Sequence, residues 1–203
     1  MIALIDYNVG NLSSVKNALK KIGAKIELVN DPDKLKNYDS VILPGVGAFA
    51  DAMDSLKKSG LDEAVIEFTK TGKNLLGICL GMQLLLDKSE EFGSCNGLGL
   101  IKGVVKRFDK NKMNHNLKIP HVGWNRVYKQ NKTKLFNELP DSFYLYFVHS
   151  YHVVCDEKYI IGKTNYGYAF ASAICKDNIF GLQPHPEKSH KVGLKILANF
   201  IDL

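Results

Sequence analysis

Cysteine and long apolar runs are scarce in this chain of 203 residues. Its four cysteines, Cys79, Cys95, Cys155 and Cys175, form no C-x-x-C pair, so the sequence indicates neither a zinc site nor a disulfide framework. No apolar stretch approaches the roughly 20 residues needed to span a bilayer. The first residues also lack the basic start and cleavage pattern of a signal peptide. We therefore expect a cytosolic protein with reduced thiols, no metal and no membrane association.

A dense basic run is also absent, although the formal net charge is +6. Lys and Arg are dispersed along the chain, which argues against nucleic acid as a partner; an acidic partner surface or solubility alone explains the charge better. With no repeat, low-complexity tract or clear linker, the length favours a single domain over residues 1–203. Only Gly10 follows the first predicted strand where a dinucleotide enzyme would carry G-x-G-x-x-G, so no cofactor is expected.

Strand and helix patterns alternate in the first half of the chain. Apolar runs at 2–5, 25–29, 40–43 and 74–78 predict strands, and apolar residues recur at helical spacing between them. This alternation predicts an α/β fold with an open, mostly parallel, doubly wound sheet flanked by helices. After about residue 98 the strand-like runs are shorter and follow one another directly, which predicts antiparallel strands in the C-terminal half. A helix over 188–201 is expected to close the chain.

A cysteine flanked by glycines stands in Gly77-Ile78-Cys79-Leu80-Gly81, where a buried strand is expected to meet a helix over 82–87. This pattern is typical of a nucleophile elbow, in which the glycines leave room for a strained backbone and a close neighbour. Unpaired N–H groups and the helix dipole at a helix N-terminus favour an anion, and so favour the thiolate of Cys79. A small buried cysteine in a tight turn is the alternative interpretation of this motif alone.

A second segment supplies a candidate base and a group to orient it. The strand predicted over 179–182 runs into Gln183-Pro184-His185-Pro186-Glu187. A cysteine nucleophile needs a base within hydrogen-bond reach, and the base needs a third group to hold its ring and tautomer. His-Pro-Glu by itself is compatible with a surface turn, but together with the elbow it favours a triad of Cys79, His185 and Glu187.

Six motifs in order resemble those of a known family. The chain resembles the class I (triad) glutamine amidotransferases, and within them the glutaminase subunits of imidazole glycerol phosphate synthases, over essentially its whole length. The motifs are Asp6-Tyr7-Asn8-Val9-Gly10-Asn11-Leu12, Leu43-Pro44-Gly45-Val46-Gly47-Ala48-Phe49, Gly77-Ile78-Cys79-Leu80-Gly81-Met82-Gln83-Leu84-Leu85, Pro120-His121-Val122-Gly123-Trp124-Asn125, Tyr146-Phe147-Val148-His149-Ser150-Tyr151 and His185-Pro186-Glu187-Lys188-Ser189.

The resemblance implies hydrolysis of L-glutamine to glutamate and ammonia. Cys79 would attack the side-chain carbonyl to give a glutamyl thioester. His185 would take the thiol proton and pass one to the leaving ammonia, and Glu187 would orient His185. Water would then release glutamate.

Two groups of binding residues follow from the same resemblance. Backbone N–H groups would form the oxyanion hole at Val46, Gly47 and Leu80. Contacts with the substrate glutamine would come from Gln83, Ser150 and Tyr151. The plainer alternatives are a tight loop selected for packing, an amide that packs the helix, and ordinary strand-end residues.

The resemblance further implies a heterodimer with a (β/α)₈ cyclase subunit. That partner would use the ammonia to form imidazole glycerol phosphate and AICAR in histidine biosynthesis, and a sealed interface should protect ammonia from bulk water. The residues assigned to this interface are Val9, Asn11, His121, Trp124, Tyr146 and Lys188. An aromatic side chain is a common anchor at interfaces, although Trp124 is equally compatible with a core position and Lys188 with a solvated one.

Two positions depart from the family pattern. Asn8 stands where relatives usually carry glycine, and Asn still tolerates a positive φ. Pro184 stands where an aromatic residue usually precedes the histidine, and proline removes an N–H and fixes φ. Other functions stay open: a paralogous glutaminase that serves a surface-sugar (amidino sugar) synthase, a cysteine hydrolase or peptidase of related fold, and a catalytically silent interaction subunit.

Overall fold

A computed structural model describes residues 1–7, 11–113 and 117–203 of the chain. The helices are α1 (Leu12–Lys21), α2 (Phe49–Ser59), α3 (Leu61–Lys70), α4 (Leu80–Leu84) and α5 (His190–Ile201). The strands are β1 (Ile2–Ile5), β2 (Ile26–Val29), β3 (Ser40–Leu43), β4 (Asn74–Ile78), β5 (Leu86–Ser89), β6 (Cys95–Asn96), β7 (Ile101–Arg107), β8 (His121–Lys129), β9 (Ser142–His149), β10 (Tyr151–Cys155), β11 (Ile160–Tyr166), β12 (Tyr168–Lys176) and β13 (Ile179–Leu182).

These strands form one mixed sheet. Its main path runs β2-β1-β3-β4-β13-β12-β10-β7-β5-β6, while β11 joins β12 to β8, and β9 pairs with β8. The strands from β2 to β13 along this path are parallel. From β13 onward the neighbours β12, β10 and β7 are antiparallel. The expected α/β architecture, with parallel strands first and antiparallel strands in the C-terminal half, is confirmed.

Both faces of the parallel strands are buried beneath helices. Successive side chains of a strand point to opposite faces, so Ile2 and Leu4 of β1 join one core cluster, whereas Ala3 and Ile5 join the other. The first cluster packs against α1 and α5, and the second packs against α2 and α3. This coverage explains why β1, β3 and most of β4 are continuous apolar runs. None of the helices in the described ranges has the length and apolar character that crossing a membrane requires.

Local signals set several helix ends. The side chain of Asn11 accepts a hydrogen bond from the Ser14 backbone N–H at 3.3 Å and so caps α1. Gly60, with φ of 72°, ends α2 and begins α3, because a left-handed residue cannot continue a helix.

The chain after the elbow differs from the expectation. The sequence pattern predicted a helix over 82–87, whereas α4 ends at Leu84 and β5 begins at Leu86. Leu86 is fully buried and pairs with Ile101 of β7, so strand pairing at the sheet outweighs the local helical preference. Strands β5 and β6 were not predicted, because segments of four and two residues carry little periodicity.

Candidate active site

The cysteine elbow lies where β4 meets α4, in the middle of the parallel strands. Neighbouring strands β3 and β13 end beside it, so the loop after β3 and the segment after β13 flank the elbow. This is the edge at which open α/β sheets place their working sites. The topology therefore unites the second, third and sixth sequence motifs, although they are separated by many residues along the chain.

Cys79 has the strained backbone that the elbow pattern predicted. Its φ is 56° and its ψ is −111°, and its N–H donates to the Leu182 carbonyl at 2.7 Å. The flanking glycines are needed for space. A Cβ on Gly77 would lie 2.6 Å from the Gly81 carbonyl oxygen, and one on Gly81 would lie 1.9 Å from the carbonyl oxygen of Leu43. The two glycines let β3, β4 and α4 approach closely enough to fix the thiol at the helix start.

His185 and Glu187 form a buried pair next to the elbow. His185 Nδ1 lies 2.7 Å from Glu187 Oε1, and the two side chains are 3% and 1% exposed. Burial lowers the pKa of His185, but the nearby negative charges of Cys79 and Glu187, together with the hydrogen bond to Glu187, outweigh it and raise that pKa to about 10. The ring is therefore held as an imidazolium beside the thiol. A proton on both ring nitrogens is what a general acid for a leaving amine requires.

Two atoms of this pair are buried and lack a hydrogen-bond partner in the described part of the chain: His185 Nε2 and Glu187 Oε2. Buried polar atoms are nearly always paired, and the exceptions concentrate at functional sites. With Nδ1 bound to Glu187, Nε2 is the ring atom left to exchange a proton with Cys79. Apo sites often tighten this contact only when substrate binds.

Pro184 does not disturb the setting of the histidine. Gln183 N–H donates to the Ser172 carbonyl at 2.9 Å, and His185 N–H donates to the Tyr146 carbonyl at 2.9 Å. The backbone hydrogen bonds on either side of Pro184 are thus made to two different strands. The missing N–H of proline leaves both in place.

A single cavity of about 560 Å³ opens onto the thiol. It unites most of the residues that the sequence predicted for catalysis, the oxyanion and the substrate: Val46, Gly47, Cys79, Leu80, Gln83, Ser150, Tyr151 and His185. Glu187 lies behind His185 and does not line this cavity. Among the described residues, no group of three or more His, Cys, Asp or Glu side chains is arranged to hold a metal ion.

The loop after β3 closely approaches the elbow because of Gly45. A Cβ at Gly45 would lie 2.9 Å from the Gly81 nitrogen, the Leu80 Cβ and the Tyr7 hydroxyl. Tyr7 donates to the Pro44 carbonyl at 2.7 Å, and burial together with the Cys79 charge raises its pKa, so it stays a donor. The loop is thereby held beside Leu80, the first residue of α4, whose N–H has no acceptor within the helix.

Two buried glutamines connect the thiol to the far wall of the cavity. Gln83 Nε2 donates to Gln183 Oε1 at 3.0 Å and to the Tyr151 carbonyl at 3.2 Å. Gln183 Nε2 in turn lies 3.8 Å from Cys79 Sγ. Gln83 therefore lies in the cavity wall and orders its neighbours there, while its contact with substrate stays a prediction. Gln183 was not among the predicted site residues, although a polar residue directly after a fully apolar strand was the available signal.

Two charged residues at the cavity were also missed. Glu91 and Arg107 both line it, and they bring one charge of each sign. The Glu91 Oε2 atom accepts a hydrogen bond from the Phe49 backbone N–H at 2.7 Å, which fixes the carboxylate at the start of α2. Neither residue lies in a motif, and only the pairing of β7 with β10 brings Arg107 opposite Tyr151.

Three of the residues assigned to a partner interface lie together on the surface beside the triad. Trp124 is 46% exposed, stacks on His190 with ring centroids 5.0 Å apart, and meets the Tyr146 ring edge-on at 6.1 Å. Lys188 is exposed, with its Nζ 5.9 Å from the centre of the Tyr146 ring. Trp124 is thus not a core residue. The interface role of this group stays a prediction.

The other three residues assigned to the interface are His121, Asn11 and Val9. His121 is 2% exposed, and its ring contacts His149 and Phe147 in the interior. Its interface role stays a prediction. Asn11 is exposed, although its side chain caps α1. Val9 lies outside the described residues, as does Asn8. Between β7 and β8 the described residues include a short 3₁₀ turn at Lys110–Lys112.

This fold and site define an α/β protein with a cysteine on a strand-to-helix elbow beside a buried His–Glu pair, an arrangement that can support acyl transfer. Residues 3–203 match the family model of the class-I glutamine amidotransferases. Imidazole glycerol phosphate synthase subunit HisH of Sulfurimonas denitrificans is 59% identical over 98% of this chain and 97% of its own. The corresponding subunit of Wolinella succinogenes is 55% identical, with both chains fully covered.

Solved structures agree with the fold. The PurLQS structure from Thermotoga maritima has a TM-score of 0.78 at 19% identity and covers 99% of this chain and 97% of its own. A crystal structure described as a glutamine amidotransferase has a TM-score of 0.76 at 17% identity, with coverages of 100% and 98%. The chain belongs to the class I glutamine amidotransferases and, within them, to the HisH family of imidazole glycerol phosphate synthase subunits. It is therefore a glutamine amidotransferase enzyme.

Proposed function

We propose that this chain hydrolyses L-glutamine through Cys79, His185 and Glu187, and that it passes the ammonia to a cyclase subunit in histidine biosynthesis. The observation that carries the proposal is one cavity lined both by a thiol on a strained elbow and by the histidine of a buried histidine–glutamate pair. The identity of 55% and 59% to HisH subunits supports the pathway assignment over a surface-sugar paralogue.

The reaction proceeds by two acyl transfers. The Cys79 thiolate attacks the side-chain carbonyl carbon of glutamine, and the oxyanion that forms is bound by backbone N–H groups of Leu80 and of the Val46–Gly47 loop. His185 donates a proton to the amide nitrogen, so the C–N bond breaks and ammonia leaves a glutamyl thioester. His185 then takes a proton from water, which attacks the thioester and releases glutamate and the thiol.

The cavity also suits the charged end of an amino acid. Free glutamine carries an ammonium and a carboxylate, and the cavity offers one charged side chain of each sign, Glu91 and Arg107. We assign Glu91 to the ammonium and Arg107 to the carboxylate. Gln83 and the backbone at Ser150 and Tyr151 then form the wall along the substrate.

Ammonia transfer requires that the cavity be covered by a partner. The exposed Trp124 and the partly buried Tyr146 lie next to the triad, because Tyr146 pairs directly with His185. A large aromatic side chain that stays exposed in the isolated subunit is a typical anchor for a partner protein. We therefore propose that the cyclase subunit docks on this surface and closes the path of ammonia, giving a heterodimer.

The test is glutamate release from glutamine by the purified chain, alone and with the cyclase subunit of the same genome plus an analogue of the cyclase substrate. Expected results are low activity alone, higher activity with the partner, and none in Cys79→Ala. Cys175→Ala serves as the matched control, because that thiol is partly buried on β12 and does not line the cavity.

Two results would overturn parts of the proposal. Glutamate release that persists in Cys79→Ala would remove the nucleophile. Activity that depends on Cys79 but ignores the cyclase subunit would keep the glutaminase and assign its ammonia to another synthase.

A further inference from the structure

A chain of hydrogen bonds runs through the protein interior from β8 to the wall of the cavity. Asn125 Nδ2 lies 3.2 Å from His121 Nε2, and His121 Nδ1 lies 2.9 Å from His149 Nε2. His149 Nδ1 then lies 2.8 Å from the Tyr151 carbonyl oxygen. The two histidines are 2% and 6% exposed, and the mechanism above uses neither. A buried polar chain that ends at a substrate wall calls for a functional explanation.

The two ends of this series of hydrogen bonds determine which atom donates in each of them. The amide nitrogen of Asn125 can only donate, so His121 Nε2 accepts and His121 Nδ1 carries the proton. His149 Nε2 therefore accepts from His121, and His149 Nδ1–H donates to the Tyr151 carbonyl. The ring nitrogens of His121 and His149 all have hydrogen-bond partners of the right kind only when both rings are neutral. Burial supports that state, since it lowers the pKa of His121 to about 4 and that of His149 to about 3.

The Tyr151 carbonyl is the point at which this series of hydrogen bonds reaches the proposed substrate site. It accepts from His149 on one side and from Gln83 Nε2 on the other. Ser150 joins β9 to β10, Tyr151 is the first residue of β10, and both line the cavity. The carbonyl of Ser150 is itself bound by the Phe108 N–H at 3.1 Å. Hydrogen bonds from the protein interior thus fix the backbone of this wall at two successive carbonyls, those of Ser150 and Tyr151.

We propose that His149, with its tautomer set by His121, is a positioning residue that fixes the Ser150–Tyr151 wall for glutamine. This inference rests on the proposed function. Without the Nδ1–H donor, the Tyr151 carbonyl would lose one of the two side-chain hydrogen bonds that hold it and could turn toward Gln83. The site would then lose its fit to glutamine while Cys79, His185 and Glu187 stay in place.

A neighbouring histidine offers a matched comparison. His152 is as buried as His149, and both pack on the rings of Phe108 and Phe170. His152 bonds instead to the Tyr168 hydroxyl and to the Val153 carbonyl, away from the cavity. A role limited to packing should therefore make His149 and His152 equivalent, whereas a positioning role should separate them.

The experiment compares two alkylating agents at Cys79 in the full chain. Iodoacetamide needs only the thiol, whereas 6-diazo-5-oxo-L-norleucine must also occupy the glutamine site. The variants are His149→Ala, His149→Asn, His121→Ala and His152→Ala. Asparagine at 149 can still donate to the Tyr151 carbonyl, because its amide nitrogen reaches about as far as Nδ1. KM and kcat for glutamine are measured on the same variants in the complex with the cyclase subunit.

His149→Ala removes a donor to a buried carbonyl, so the rate at which the glutamine analogue alkylates Cys79 should fall by about ten-fold. KM for glutamine should rise by about ten-fold as well. The rate of alkylation by iodoacetamide should stay within about two-fold of that of the unsubstituted protein. His149→Asn should restore the analogue rate, and His121→Ala should lower it in the same direction. His152→Ala should lose thermal stability comparably and keep the analogue rate.

Two outcomes would overturn the inference. Equal losses with both reagents, or equal effects in His149→Ala and His152→Ala, would make His149 a packing residue. If the unsubstituted chain, in the complex with the cyclase subunit, reacts with iodoacetamide but not with the glutamine analogue, the proposed function itself is overturned, and the inference with it.

Discussion

Replacing Glu187 with glutamine tests the charge of the His185–Glu187 pair with little change in shape. Glu187 Oε1 lies 2.7 Å from His185 Nδ1, and both side chains are almost fully buried. Glutamine has nearly the same volume, and its carbonyl oxygen can still accept from Nδ1–H. Glu187→Gln therefore removes the negative charge and keeps the hydrogen bond.

The expected loss can be worked from this geometry. A hydrogen bond to an ionised group contributes about 1–2 kcal/mol more than a neutral one, which corresponds to roughly ten-fold in rate. Burial opposes the charge on His185, and Cys79 and Glu187 together raise its pKa to about 10, so removing one of the two must lower that pKa. We expect kcat for glutamine hydrolysis to fall by about ten-fold or more.

The assay is the pH dependence of kcat, with the His185 ring titrated in parallel by NMR. Ammonia can leave only if His185 carries a proton, so kcat of the unsubstituted enzyme should fall as the pH rises through about 10. In Glu187→Gln this alkaline limit should move to lower pH. Glu138→Gln is the control, since Glu138 pairs with Lys195 at the surface. A kcat within about two-fold of the unsubstituted enzyme and an unmoved alkaline limit would refute the orienting role of Glu187.

The remaining predictions concern the elbow, the interface and acid stability. Gly81→Ala would place a Cβ 1.9 Å from the Leu43 carbonyl oxygen, and a shift of that size at a catalytic elbow should lower kcat by about 100-fold in the glutamate assay. Trp124→Ala should weaken binding to the cyclase subunit by about 2 kcal/mol, as measured by calorimetry. Because Trp124 is about half exposed, the melting temperature of the isolated chain should stay unchanged. His121 and His149 have folded pKa values of about 4 and 3, below the ordinary 6.5, so the unfolded chain binds protons that the folded chain does not. Urea unfolding should therefore show stability falling as the pH drops from about 6.5 toward these values, and less so in His149→Asn; a flat profile would contradict buried neutral rings.

Much of the site could be read from short segments, because its strongest constraints are local. A cysteine on a strand-to-helix turn needs small residues on both sides, and Gly77 and Gly81 record that need in the sequence. His185 and Glu187 are two residues apart, so one turn brings their side chains together. The parallel half of the sheet was predictable for a similar reason, since strands buried on both faces are continuous apolar runs.

Other parts of the site depend on strand pairing between distant segments. Gln183 reaches Cys79 across 104 residues, and Arg107 enters the cavity only because β7 pairs with β10. The short strands β5 and β6 form because β5 pairs with both β6 and β7. Their own residues show no clear alternation of apolar and polar side chains. The same dependence separates His121 from Trp124, which share a motif but point to opposite faces of β8, one buried and one exposed.

The sequence by itself determined the parallel α/β core, the nucleophile elbow and the His–Glu pair, because each follows from contacts within a few residues. Only the tertiary structure decided which side of each strand faces the cavity and which polar groups meet there. The side-chain direction in a strand reverses at every residue, so burial of His121 and exposure of Trp124 depend on the pairing of β8 with β9. Such pairing is a property of the assembled sheet, and the residues of one strand do not encode it alone.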